Sequence, residues 1–182
     1  HGQVCYIGGI SVERGIKEVV TALTLTKNNV SLALAGKFHS VQLEQDIKQE
    51  KGWGKTNFIG FVGRKEIQEL LSNTQIGLVT LYPTVSYLDS LPVKLFEYMC
   101  AGVPVIASDF PLWREIVLKH NCGLCVDPQN PEEIAKAIDY LIDNPQIAEE
   151  MGRNGFKAVQ TEFNWANEEA KLLKFYESMI GK

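Results

Sequence analysis

Ile76-Gly77-Leu78-Val79-Thr80, then Leu81-Tyr82-Pro83-Thr84, then Asp89-Ser90-Leu91-Pro92-Val93-Lys94-Leu95-Phe96-Glu97: this stretch decides the fold. Its first five residues form a short apolar run of strand length. Its last residues open a helix, because Pro92 suits a first helical turn, where its missing N–H would be unpaired anyway. The helix is expected over 92–100, stopping before Gly102. A buried strand that passes through a loop into a helix is the unit of a parallel sheet. The N–H groups of Val93, Lys94 and Leu95 then face outward from the helix start, where an anion such as a phosphate is favoured. Glu97 lies about one turn further on. There a carboxylate can accept hydrogen bonds from both hydroxyls of a ribose, or simply face solvent. Asp89 reads as a second ligand contact or as a helix cap.

Working outward, the alternation continues. Strands are expected at 4–7, 30–35, 57–59, 103–107 and 123–126, and helices at 15–26, 41–51, 65–72 and 112–119. Three helices close the chain, at 131–143, 146–160 and 165–180. Asn130 is placed to cap the first of them, Pro131 fits its first position, and Glu132 and Glu133 complement its dipole. The pattern implies an α/β domain: a Rossmann-like parallel sheet with helices on both faces. Such sheets bind ligands outside the carboxyl ends of their strands. The loops at 8–14, 60–64, 81–91 and 108–111 are therefore where function is expected.

Two further loops carry chemistry. Gly8 and Gly9 let a ligand approach the backbone, and Arg14 near the next helix start can hold a diphosphate by paired hydrogen bonds. The bland alternative is a plain strand–helix turn with a solvated arginine. In Gly60-Phe61-Val62-Gly63-Arg64, Phe61 and Val62 can wall one face of a nucleobase or can pack into a core.

Composition bounds the reading. With 182 residues, 45% hydrophobic and 22% charged, the chain suits one globular domain. A net charge of −4 argues against a nucleic-acid partner, which needs a basic face. No apolar run reaches membrane-spanning length, and no secretory signal is visible. Cys5, Cys100, Cys122 and Cys125 all sit in apolar, element-like stretches and read as reduced thiols. Cys122-Gly123-Leu124-Cys125 has Cys-x-x-Cys spacing but no second pair, so it reads as part of a strand. His39 and His120 lack ligand-spaced partners and read as surface residues. There is no Asp-x-Asp, Walker loop or Gly-x-Ser-x-Gly, so neither a metal nor a cofactor is expected.

Five segments together carry a resemblance. They are Tyr6-Ile7-Gly8-Gly9-Ile10-Ser11-Val12-Glu13-Arg14-Gly15, Asn57-Phe58-Ile59-Gly60-Phe61-Val62, the run from Ser90 to Ala107, Gly123-Leu124-Cys125-Val126-Asp127-Pro128, and Phe163-Asn164-Trp165. In that order, across almost the whole chain, they resemble the family 4 retaining glycosyltransferases, particularly bacterial enzymes that build surface polysaccharides. The resemblance implies one half of a GT-B architecture. Residues 1–182 would be the C-terminal domain, which grips a nucleoside-diphosphate sugar. Residues 165–180 would be a terminal helix packing on an N-terminal acceptor-binding domain outside this chain.

On the matching positions, Arg14, Asp89 and Glu97 are the candidate catalytic residues: diphosphate cation, donor-sugar carboxylate and ribose carboxylate. Gly8, Gly9, Phe61, Val62, Ser90, Leu91, Pro92, Val93 and Lys94 are the candidate substrate-binding residues, with Leu91 to Lys94 forming a backbone turn under the phosphates and sugar. Two positions depart: Gly9 stands where the family often has Arg, and Asp89 where it often has Glu. One diphosphate contact is thus missing or supplied otherwise. The implied function is transfer of a hexosyl group from a nucleoside-diphosphate sugar, with retention and without a metal, in polysaccharide or glycolipid synthesis. The implied setting is the cytoplasm or the inner face of the membrane, with membrane association through the missing domain. The fragment alone is expected to transfer nothing. Two other readings stand beside this one: a non-catalytic nucleotide-binding subunit, and a GT-B nucleotide-sugar epimerase.

Overall fold

The computed structural model describes residues 2–180. Its strands are β1 (Gly2–Ile7), β2 (Val30–Ala35), β3 (Thr56–Gly60), β4 (Ile76–Val79), β5 (Val105–Ser108) and β6 (Gly123–Val126). All pair in parallel, in the order β3-β2-β1-β4-β5-β6. The winding direction therefore reverses between β1 and β4, the point where open α/β sheets form a ligand crevice. The β1–β4 pairing is short: Val4 faces Ile76 and Cys5 faces Gly77.

The helices are α1 (Ile16–Leu25), α2 (Val41–Lys48), α3 (Arg64–Ser72), α4 (Val85–Leu88), α5 (Val93–Cys100), α6 (Pro111–Lys119), α7 (Pro131–Asp143), α8 (Pro145–Thr161) and α9 (Trp165–Ile180). β1 shows how they are divided. Its alternate residues Val4 and Tyr6 join a core with α1, α2 and α7, whereas Cys5 and Ile7 join one with α3, α5 and α6. A strand covered on both faces must be apolar throughout, which is why the strands read as short continuous runs.

Most elements lie within one or two residues of the sequence expectation, and the departures have local causes. The helix expected over 41–51 stops at Lys48, and a 3-10 turn over Lys51–Lys55 follows, where Gly52 and Gly54 are poor helix formers. β5 begins at Val105, not at 103, because Pro104 has no N–H to give to the sheet. The loop after β4 holds a four-residue helix, α4, too short for a helical period to announce it. Pro92 is the N-cap of α5, one position earlier than expected: its ψ of 124° is extended, and its carbonyl accepts from Leu95 N–H at 3.0 Å. Asn130 caps α7 as expected, accepting from the N–H groups of Glu132 and Glu133. α9 buries none of its residues and leaves Trp165, Leu172, Leu173, Phe175, Tyr176 and Met179 exposed.

Candidate functional site

The crevice is set by one side chain. Tyr98 of α5 is fully buried, with its ring against Gly77 of β4, where an added Cβ would meet the ring at 2.3 Å. Its hydroxyl accepts from Ile7 N–H and donates to the Cys5 carbonyl, each at 3.1 Å. It thus satisfies the last β1 groups where the ladder to β4 has ended, and β1 and β4 can separate without leaving buried polar groups unpaired.

The two loops leaving this gap are tied together above it. Val12–Arg14 forms a 3-10 turn, and Gly15 follows at φ 66°, so that α1 starts directly against the end of β4. A Cβ on Gly15 would lie 2.2 Å from the Thr80 carbonyl oxygen, and only glycine accepts both that contact and that backbone at no cost. Tyr82 N–H donates to the Glu13 carbonyl at 2.8 Å, closing the second link.

Between the loops lies a cleft of about 340 Å³. The structure brings Gly8, Arg14, Ser90, Pro92, Val93, Lys94 and Glu97 together around it, with Ile7, Leu81 and Tyr87. The start of α5 lines it with a positive dipole end and with the N–H groups of Val93 and Lys94; that of Leu95, expected to be free as well, is taken by the Pro92 carbonyl. The Arg14 guanidinium lies 5.6 Å from the Tyr87 ring centroid, and its Nε is buried without a hydrogen-bond partner among the described residues. Glu97 is exposed at the cleft mouth.

Lys94 is the feature the sequence reading undervalued. The resemblance assigns it only to a backbone turn. Its side chain is only 6% exposed, its Nζ has no hydrogen-bond partner among the described residues, and it sits 3.5 Å from the Tyr6 ring centroid. Burial, and then the neighbouring Arg14 charge, push its pKa well below the usual lysine value, against weaker opposing effects of Glu97 and Cys5. A signal was available: Lys94 falls on the same helical stripe as the core residues Leu95, Tyr98 and Met99. Tyr6, Tyr87 and Tyr98, which shape the cleft, were likewise not singled out.

The other candidate residues lie outside the cleft lining. Gly9 is beside it, under the His39 imidazole, and its carbonyl accepts from the Tyr6 hydroxyl at 2.9 Å. Phe61 is 86% exposed and lines a neighbouring hollow with Gly60, Phe38 and His39. Val62 packs against the core under α3 and α5. Leu91 and Asp89 are exposed. The cap reading of Asp89 is corrected: it ends α4, and the residue that caps α5 is Pro92.

One side expectation changes, and the cysteines stay free thiols as expected. His120 is not a surface residue; it is half-buried, edge-on to the Phe163 ring at 5.3 Å. Cys100 is exposed, because it closes α5 on its outer side. Cys122 and Cys125 are both free, and burial pushes each thiol up to about 11, far from a reactive thiolate. Among the described residues no group of three or more His, Cys, Asp or Glu is placed to hold a metal ion. No helix among them is long and apolar enough to cross a membrane.

The fold and cleft thus define a Rossmann-like domain with a crevice at its switch point that is lined by Arg14, Lys94 and a helix start. The chain belongs to the group 1 glycosyl transferases, whose family model matches residues 2–158. It is 24% identical over 185 residues to an uncharacterized glycosyltransferase of Methanocaldococcus jannaschii, covering 98% of this chain and 46% of that protein. It therefore spans about half the length of the relatives it matches. The C-terminal domain of a glycosyl transferase group 1 family protein from Francisella tularensis superposes with a TM-score of 0.76 at 23% identity, over 90% of this chain and 87% of that one. HepE of Anabaena in complex with UDP-glucose superposes with a TM-score of 0.83 at 20% identity, over 97% of this chain and 48% of that one. The sheet with its flanking helices is that of a C-terminal GT-B domain.

Proposed function

We propose that this chain is the donor-binding half of a retaining glycosyltransferase that moves a hexosyl group from a nucleoside-diphosphate sugar to an acceptor in polysaccharide or glycolipid synthesis. The observation that carries the reading is the convergence of Arg14, the start of α5 and Glu97 on one cleft at the switch point. A diphosphate placed there meets a guanidinium and free backbone N–H groups, and a ribose placed next to it meets a carboxylate. The UDP-glucose complex of a protein with the same fold supports the choice of ligand class.

In the reaction, the bond from the sugar to the diphosphate breaks and negative charge grows on the leaving phosphate. Arg14 and the α5 N–H groups are placed to stabilise that charge in a preorganised site, with no metal required. Acceptor attack on the face from which the phosphate departs gives retention, and the departing phosphate oxygen takes the acceptor proton. The hollow beside the cleft, which Phe61 lines, takes the base, and Asp89, exposed just outside the cleft, meets the donor sugar where it projects from the diphosphate. Acceptor binding belongs to an N-terminal domain outside this chain, against which the exposed apolar side of α9 packs. That domain also supplies any association with the inner face of the membrane, from the cytoplasm.

The test is titration of the chain with UDP, GDP and ADP while amide NMR shifts are recorded. Binding is expected to move Gly8, Arg14 and the residues from Val93 to Glu97, and Glu97→Ala is expected to weaken it about tenfold or more, as loss of a charged hydrogen-bond acceptor does. Three flat titrations at millimolar nucleotide would overturn the reading.

A further inference from the structure

Lys94 poses a physical problem that its backbone role does not solve. A lysine amine almost fully removed from water normally has a carboxylate or several carbonyls around it. Here the groups facing Nζ are the Tyr6 ring and the Cys5 thiol from β1, Arg14 from the turn after β1, and Glu97 one turn along its own helix. None of them is a hydrogen-bond partner. Tyr6 gives its hydroxyl proton to the Gly9 carbonyl and offers only its face. Arg14 is a second cation, which makes the arrangement worse.

The two cations are nevertheless held toward one point. A Cβ built on Gly8 would lie 3.3 Å from Lys94 Nζ and 3.7 Å from an Arg14 terminal nitrogen. Gly8, at φ 131°, leaves that space open. Side by side, a guanidinium and an ammonium repel each other unless something anionic lies between them, and both side chains line the cleft into which α5 starts.

We propose that the Lys94 amine binds the ligand's diphosphate directly, as a second cation beside Arg14, so that Lys94 is a side-chain ligand and not merely part of the turn. The inference rests on the nucleotide reading above and deepens it. The Tyr6 face holds the amine in place while the cleft is empty, at little cost in ordering when the anion arrives. The dianion then restores the ammonium form that burial and Arg14 disfavour.

The experiment compares the wild-type chain with Lys94→Met, which keeps length and apolar contact and removes the amine. Each is titrated calorimetrically with UDP, GDP and ADP and with the matching nucleosides, and the melting temperature of each is recorded. The expected result is a loss of about ten- to a hundredfold in affinity for the diphosphate that binds, the size of a charge-assisted hydrogen bond. Affinity for the matching nucleoside is expected to be unchanged, and Lys94→Met to melt no lower than wild type, since it loses an unpaired buried amine. Equal diphosphate affinity in the two proteins would overturn the inference while leaving the nucleotide reading intact. Parallel losses for diphosphate and nucleoside would also overturn it, by assigning Lys94 to packing. Absence of binding by the wild type would remove the nucleotide reading and this inference together.

Discussion

Tyr98→Phe separates the two jobs of the residue that opens the crevice. Phenylalanine keeps the ring against Gly77 and removes only the hydroxyl. That hydroxyl is the partner of Ile7 N–H and of the Cys5 carbonyl, both at 3.1 Å, in a position with no solvent access. Two buried backbone groups are then left unpaired, each costing about 1–3 kcal/mol. Part of the sum is offset because the hydroxyl no longer has to be desolvated, which leaves a net loss of about 2–3 kcal/mol. For a chain of this size that lowers the melting temperature by about 4–12 °C. The assay is urea unfolding followed by tryptophan fluorescence, with the slope unchanged and the midpoint lowered. Tyr140→Phe, at a position 44% exposed, serves as the control and is expected to stay within about 0.5 kcal/mol of wild type. If Tyr98→Phe also stayed within that limit, the argument that Tyr98 satisfies the divided strand would be wrong.

Gly15→Ala is expected to destabilise by about 2 kcal/mol or more in the same assay, because it combines a left-handed backbone with a Cβ set against the Thr80 carbonyl; a loss below about 0.5 kcal/mol would refute the close approach. Asp139 of α7 accepts hydrogen bonds from Lys27 N–H, Asn28 N–H and the Asn28 side chain. Burial raises its pKa, but these N–H groups together outweigh burial and hold it below the usual aspartate value. The stability it contributes is therefore complete above about pH 4 and lost as pH falls through the lowered folded-state pKa. Asp139→Asn should flatten the fall of unfolding free energy in that acid range, and identical pH profiles would contradict the assignment. Truncation after Asn164 removes α9, which buries no residue of its own, so the unfolding free energy of the remainder is expected to change by less than about 1 kcal/mol; a larger loss would place α9 in this domain's core.

Much of the architecture could be read locally. Strands buried on both faces are short apolar runs, so Val30–Ala35 and Gly123–Val126 were found at their true limits. Asn130-Pro131 marked α7 to the residue, because a cap, a fixed φ and two acids all act within one turn. Arg14 and Glu97 could be chosen as site residues because their types suit a phosphate and a ribose and their loops follow strands. α4 and the position of Pro92 were missed, since both depend on how the loop after β4 packs. Asp89 and Phe61 could be chosen by residue type and loop position, and neither says which way a side chain leaves the backbone: both are exposed outside the cleft lining.

The segment from Ile76 to Glu97 marks the limit most clearly. By itself it determined a strand, a loop and a helix start, because hydrophobic period and proline chemistry act over neighbouring residues. Only the tertiary structure put β4 beside β1, since strand order depends on contacts between residues far apart in the chain. That neighbour relation brought Arg14 to Lys94, turned a lysine on an apolar helix face into a buried amine over Tyr6, and made a cleft from two unremarkable loops.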